Sequence, residues 1–354
     1  MSGIERLVDQ AEICICAGAG GVGKTSTSAA IALGAATRGR KVAVLTIDPA
    51  KRLANALGLE RLGNEPRRVP GIEGDGELWA MMLDPKRTFD ELIETYASDE
   101  RARDAVLSNR IYQELSGAVS GSQEYMAMEK LYALHMQGNF DLLVLDTPPT
   151  RNALDFLDAP ERLQRFIDSR SLRFFLSPGI RVLGRGSGLL FAVLQRVTGI
   201  DLLRDLSDFF TSFGDMSEGF RARAERVTEL LGSDVSTFVL VASPRHDAIE
   251  DAIFFHRQLQ ERGMPFGGAV VNRFHDLRGG DKADLTAALG PELATKVEAN
   301  FADYRAVATR DRANLKRLTS KLDGEPVVVI PELDGDVHDL DGLRRMAKHL
   351  FTKI

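Results

Sequence analysis

The sequence predicts an α/β fold: a doubly wound, mostly parallel sheet of the phosphate-loop class, with an inserted helical subdomain. Three observations predict it. Short, almost uninterrupted apolar runs recur along the chain, as strands buried on both faces require. Stretches with helical periodicity separate them, the alternation that builds a parallel sheet with crossover helices. The chemically loaded residues stand at the carboxyl ends of these runs, where ligands sit in such sheets.

In order, the expected strands are 12–17, 41–47, 78–83, 141–146, 237–242, 267–272 and 326–330. The first ends in Ile13-Cys14-Ile15-Cys16-Ala17, runs into a glycine-rich loop and is followed by the helical pattern of Ala29, Ala30, Ile31 and Leu33. The second ends at Asp48-Pro49-Ala50, and the fourth at Asp146-Thr147-Pro148-Pro149-Thr150. From Thr88 to Met136 the pattern is helical. After Asp146, about ninety residues pass without a strand, too many for one crossover helix. That stretch is helical and rich in phenylalanine: Phe166, Phe174, Phe175, Phe191, Phe209, Phe210, Phe213 and Phe220. Both insertions leave the sheet on the motif-bearing strand ends. They read as one helical subdomain, about 86–137 and 151–233, within a single domain spanning 1–354. Its phenylalanines either line a groove for a hydrophobic client or form the subdomain's own core; periodicity favours the core. Gly184, Gly186 and Gly188 interrupt it and predict mobility there. The last helix sets Val337, Leu340, Leu343, Leu350 and Phe351 opposite Arg344, Arg345 and Lys348. Such a tail can bind a membrane surface, but with few basic residues and with Asp339 and Asp341 nearby, packing on the sheet is favoured.

The loop reads Gly18-Ala19-Gly20-Gly21-Val22-Gly23-Lys24-Thr25. Its spacing, between a strand and a helix, is that of a phosphate-binding loop. Glycines without a β-carbon let backbone N–H groups curl around a phosphate, and the helix N-terminus adds partial positive charge. Lys24 is placed to bridge the β- and γ-phosphates and Thr25 to put its hydroxyl on Mg²⁺. The nucleotide contacts expected here are Gly18, Gly20, Gly21, Val22, Gly23, Lys24, Thr25 and Ser26. Asp146 ends an apolar run as a Mg²⁺-directing carboxylate does, although an aspartate before Thr147-Pro148-Pro149 also suits a helix cap. For Asp48 the residues leave open two roles: orienting the attacking water, or capping the helix after Pro49.

Composition narrows the setting. A hydrophobic content of 44% supports a packed core, and the net charge of −6 argues against a general nucleic-acid binder. The apolar stretch 172–194 is broken by Arg173, Arg181, Arg185 and Pro178, whereas a span needs ~20 largely uncharged residues. With no secretory signal visible, the sequence reads as cytoplasmic, with membrane contact at most peripheral. The two cysteines, Cys14 and Cys16, read as core residues, and the six histidines show no metal-ligand spacing. No Asn-Lys-x-Asp segment supports guanine recognition.

Together, the loop, Asp48-Pro49-Ala50 and Asp146-Thr147-Pro148-Pro149-Thr150 resemble the arsenite-pump ATPase family. That family includes the tail-anchored-protein targeting ATPases and belongs to the deviant-Walker class with the division-site and partition ATPases. The resemblance covers nearly the whole chain and looks like a bacterial branch. It implies a Mg²⁺-dependent ATPase working as a dimeric, nucleotide-driven switch. In family terms Lys24 and Asp48 are catalytic, with Asp48 positioning water from the first switch, and Thr25 with Asp146 of the second switch holds the metal. Asn272, in Val270-Val271-Asn272, resembles the asparagine that reads adenine, and Pro331 with Asp336 resembles the loop closing over the base. Residues 121–131 look like the acidic segment that couples nucleotide state to the helical subdomain.

Three departures qualify what the resemblance implies. Ala19 stands where family loops carry a signature lysine that reaches the partner's phosphates across a dimer. Arg151-Asn152 replaces the usual Gly-His after Thr150. Neither the zinc-binding cysteine pair of the dimer interface nor cysteines for an arsenite site are present. The implied function is a targeting or chaperone-like factor with a hydrophobic client. The alternatives are a membrane-surface positioning ATPase, or a slowly hydrolysing sensor. The implied assembly is a homodimer, or a heterodimer with a paralogue that carries the lysine.

Overall fold

The computed structural model describes residues 3–48, 52–115, 122–147, 157–167, 200–276 and 285–351. The chain divides into two compact units. One comprises 1–81, 139–153 and 233–354, the other 82–138 and 154–232.

The first unit is built on an eight-stranded sheet. Its strands are β1 (Ile13–Ala17), β2 (Lys41–Thr46), β3 (Arg67–Arg68), β4 (Glu77–Met82), β5 (Leu142–Asp146), β6 (Ser236–Ala242), β7 (Phe266–Phe274) and β8 (Val327–Pro331). Their order across the sheet is β3-β4-β2-β5-β1-β6-β7-β8. Every neighbouring pair from β2 to β8 is parallel, and β3 pairs antiparallel with β4. All seven expected strands are present, with ends differing by one or two residues. The strand the sequence did not announce is β3, two exposed arginines at the sheet edge with no apolar content to mark them. Cys14 and Cys16 are fully buried in β1. The neighbouring Cys16 thiol and burial push the proton affinity of Cys14 up, so Cys14 is not presented as a reactive thiolate.

Helices α1 (Gly3–Gln10), α2 (Lys24–Thr37), α3 (Arg52–Ala56), α10 (His246–Glu261), α11 (Leu285–Leu289), α12 (Pro291–Lys321) and α13 (Leu340–Leu350) complete this unit. Small residues let α2 be buried almost all round: Ala29, Ala30, Ala32, Gly34, Ala35 and Ala36 leave space for close neighbours. The last helix fills that space. α13 packs on α2 with Leu343, Met346, Ala347 and Leu350 buried, and Phe351 lies against Gly34. Its apolar face is therefore covered by the protein itself, mainly by α2 and only in part by β8, rather than by the sheet as the charge pattern had suggested. No helix among the described residues is long and apolar enough to cross a membrane.

The second unit is helical: α4 (Pro85–Tyr96), α5 (Glu100–Leu107), α6 (Arg110–Leu115), α7 (Ser122–Gln137), α8 (Ala159–Ile167) and α9 (Ile200–Leu231). Asp84 and Asp99 cap α4 and α5 by accepting from the Arg87 and Ala102 N–H groups. Phe89, Tyr96, Tyr112, Phe209 and Phe220 form an aromatic cluster, and Phe209 and Phe220 are buried. At these two positions the phenylalanines are core. Those at 174, 175 and 191, and the glycines at 184, 186 and 188, lie outside the described residues. In the acidic segment of α7, Glu129 is buried and accepts from Arg223 Nε at 2.7 Å, while the guanidinium sits 3.9 Å from the Tyr132 ring centroid. Burial raises the proton affinity of Glu129 and the Arg223 contact opposes it.

Candidate functional site

At the carboxyl ends of β1, β2, β5, β7 and β8 lies a cavity of about 510 Å³. Its walls include Gly21, Gly23, Lys24, Thr25, Ser26, Asp48, Asp146, Asn272, Pro331 and Asp336. The glycine loop, both aspartates, the asparagine and the β8 loop are thus brought to one place. Gly18, Gly20 and Val22 belong to the loop without lining the cavity.

Backbone geometry explains two of the loop glycines. A β-carbon at Gly18 would fall 2.1 Å from the Val241 carbonyl oxygen, so β1 can leave the sheet there only without a side chain. Gly23 caps α2 at φ 92°, in the left-handed region, and a β-carbon there would meet Asn272 Nδ2 at 2.2 Å. No side chain caps α2, which leaves its first N–H groups to the cavity. Asn272 Nδ2 donates to the Val22 carbonyl at 3.1 Å and so braces the loop from β7.

Lys24 is 6% exposed and its Nζ donates to the Ala19 carbonyl at 2.9 Å, folding the lysine back over its own loop. Burial, with a smaller push from the Arg52 charge, holds its proton affinity below the usual range, against the pull of Asp146 and Asp48. Thr25 Oγ1 donates to Asp146 Oδ2 at 2.7 Å, and Thr46 Oγ1 donates to the same oxygen at 2.9 Å. Asp146 is 1% exposed, and its Oδ1 has no hydrogen-bond partner among the described residues. Burial raises its pKa to about 6, opposed by the two hydroxyls and by Lys24. A buried carboxylate oxygen without a donor fits a cation or its bound water. Thr147 Oγ1 ties the end of β5 to the Cys16 carbonyl at 2.9 Å. The Asp48 N–H donates to Thr46 Oγ1 at 3.2 Å, and its carboxylate lies 3.6 Å from Arg52 Nη1. Pro49, Ala50 and 148–152 fall outside the described residues.

Several wall residues had not been singled out from the sequence: Thr46 behind Asp146, and Arg52, Asn55, Arg273 and His338 in or beside the cavity. Thr46 is an ordinary β-former and gives no signal. Arg52 stands four residues after Asp48, a spacing that invites an ion pair. Arg273 follows Asn272 where the β7–β8 register shifts, and takes φ 61°, a conformation non-glycine residues seldom adopt.

Comparison with known proteins adds a family. The family model described as anion-transporting ATPase matches residues 11–352. The chain is 32% identical over 164 residues to ATPase get3 of Schizosaccharomyces japonicus, covering 46% of this chain and 48% of the relative. It is 30% identical over 198 residues to ATPase GET3 of Malassezia globosa, covering 55% and 54%. These two matches thus span about half the length of the relatives. A third, to ATPase GET3 of Chaetomium globosum, is 29% identical over 352 residues and covers 99% of this chain and 93% of the relative.

Proposed function

The chain belongs to the anion-transporting ATPase family, and on that premise we propose that it binds ATP with Mg²⁺ in the 510 Å³ cavity and hydrolyses it. The cycle of binding and release acts as a dimeric switch for targeting or chaperoning a hydrophobic protein client in the cytoplasm. The observation that carries the reading is the convergence on one cavity of a glycine-capped helix start, a buried lysine and a buried carboxylate with one unpartnered oxygen.

Each residue has a role its surroundings support. The loop and α2 N–H groups cradle the phosphates. Lys24 exchanges the Ala19 carbonyl for the β- and γ-phosphates, a charge-assisted contact in place of a neutral one. Thr25 and Asp146 would hold Mg²⁺, which supplies neutralisation of the phosphate oxygens. Asp48 orients the attacking water, and its hydrogen bond to Thr46 joins it to the Asp146 group. Asn272, Pro331 and Asp336, which line the same cavity, are assigned to the base. Because Asp146 ends β5, which pairs with β1, and Asp48 follows β2, the next strand beyond β5, loss of the terminal phosphate is felt at the ends of two adjacent strands, the usual arrangement of a nucleotide switch.

Calorimetry with MgATP tests the reading. The chain binds, and Lys24→Ala removes tight binding because the triphosphate loses its principal cation. Equal affinity in the two proteins would remove the phosphate-loop role. The covered apolar face of α13 gives the membrane-surface alternative no support.

A further inference from the structure

Among the described residues, the cavity wall carries the side chains of Lys24, Arg52 and Arg273. They are held very differently. Lys24 is buried on its loop carbonyl. Arg273 follows Asn272 on β7 and lies 3.9 Å from Asp336 of the loop after β8, at the end of the cavity assigned to the base. Arg52 lines the same cavity beside Asp48 and is near enough to Lys24 for its charge to act on that ammonium. Cations that line one space repel each other until an anion lies between them, so their convergence is a mark of a polyanion site.

We propose that Arg52 is a contact for the terminal phosphate of the bound nucleoside triphosphate, supplied from within the same chain and held in reserve by Asp48. The inference rests on the ATP-binding reading above. Its grounds are geometric. Arg52 Nη1 stands 3.6 Å from Asp48 Oδ2, beyond hydrogen-bond length, and its side chain is 67% exposed against 18% for Asp48. Such a solvent-screened pair is weak, so exchanging the carboxylate for a phosphate loses little. A guanidinium presents a planar fork that matches two phosphate oxygens, which a point-charge ammonium does not.

The exchange also assigns Asp48 its moment of action. While Arg52 faces Asp48, the carboxylate is partly neutralised. When Arg52 turns to the γ-phosphate, Asp48 loses that neighbouring positive charge and becomes the stronger acceptor for water. In the step that follows, the water oxygen forms a bond to the γ-phosphorus as the bond to the β,γ-bridging oxygen breaks. The electron pair of that bond leaves with ADP, and the water's proton passes by way of Asp48 to solvent. Charge moving onto the phosphoryl oxygens is what a second cation stabilises.

The test compares wild type, Arg52→Ala and Arg52→Lys for affinity toward Mg²⁺-ADP and Mg²⁺-ATPγS by calorimetry, and for turnover of ATP. The expected result for Arg52→Ala is unchanged ADP affinity, about tenfold weaker ATPγS binding and a ~10²-fold lower kcat. Arg52→Lys recovers part of both, and millimolar guanidinium added to Arg52→Ala restores part of the turnover. A merely structural role would weaken ADP and ATPγS alike and would not respond to guanidinium. If wild type prefers ATPγS over ADP and Arg52→Ala keeps that preference, the Arg52 contact is overturned while the ATP-binding reading stands. If wild type binds neither nucleotide, both fall.

Discussion

Thr46 and Asp146 stand directly opposite each other on β2 and β5, and the threonine hydroxyl donates to Asp146 Oδ2 at 2.9 Å. With the Thr25 bond to the same oxygen, Oδ2 accepts from two hydroxyls, and the buried Oδ1 has no donor among the described residues. The parallel register of two strands thus helps decide which oxygen is left for a ligand. Thr46 also receives the Asp48 N–H, so a single hydroxyl links the two aspartates.

Replacing that hydroxyl should be visible in metal binding. Thr46→Val keeps the β-branched shape, removes the donor to Asp146 and leaves the Asp48 N–H without its acceptor. Groups that orient a metal ligand typically contribute 10–100-fold in affinity. Titrating Mg²⁺ into the ADP-bound protein should give at least ~10-fold weaker binding in Thr46→Val, with ADP affinity in the absence of metal little changed. Identical Mg²⁺ affinity would show that Asp146 does not depend on Thr46 for its orientation.

Thr46 also marks where sequence reading stopped. The apolar runs ending in Asp48 and Asp146 identified β2 and β5, since a strand buried on both faces has no polar alternation to obscure it. Threonine inside such a run passes as a strand former, and only the register shows it facing Asp146. Arg52 and Arg273 escaped for a related reason, because a surface arginine acquires meaning from what it faces. The extension of β7 to Phe274 was also hidden, because the shifted register and the left-handed Arg273 leave no compositional trace. The glycine loop was legible residue by residue, as its backbone path tolerates few side chains.

The packing of α13 on α2 predicts a sharp response at Gly34. A β-carbon there would fall 2.2 Å from Phe351 Cε2, so Gly34→Ala forces the ring aside. Overpacking of this kind typically costs ~1–3 kcal/mol. Urea unfolding should report that loss, and Phe351→Leu in the same chain should recover part of it, because the two residues share one space. Strictly additive losses would mean that the helices do not meet at these residues.

His256 predicts how stability varies with pH. Its ring is 3% exposed, packs 4.5 Å from the Phe266 ring and leaves Nε2 without a partner among the described residues. Burial holds its proton affinity below the ordinary value of 6.5, against the pull of Glu325 and Asp323. Below about pH 6.5 the unfolded chain takes up a proton that the folded chain refuses. The contribution is thus fully present above that pH and lost as pH falls, by at most about 1.4 kcal/mol per pH unit. His256→Phe should flatten the decline in urea midpoint between pH 7 and 5.5. Parallel curves for the two proteins would remove His256 as its cause.

The last prediction concerns Ala19, whose half-buried position in the loop carries no charge and whose carbonyl holds Lys24. In the family the sequence resembles, a lysine at this position reaches the phosphates bound by a second subunit. Two copies of this chain cannot exchange that charge, so each closed site would lack one cation in a water-poor interface. Trans-acting cations of this kind can be worth ~10³-fold in rate. Arg52 acts in its own chain's site and so offsets part of the deficit without replacing a contact made from across the dimer. The purified chain should therefore hydrolyse ATP slowly. Ala19→Lys should raise kcat by ~10- to 10³-fold with little change in ADP affinity, and mixing with a paralogue carrying the lysine should raise turnover at the site bound by this chain. Turnover measured with the second subunit's own phosphate-loop lysine removed assigns the gain to this chain. Brisk hydrolysis by the chain alone, unaffected by either treatment, would mean that the cations already in the cavity are sufficient and that Ala19 is no handicap.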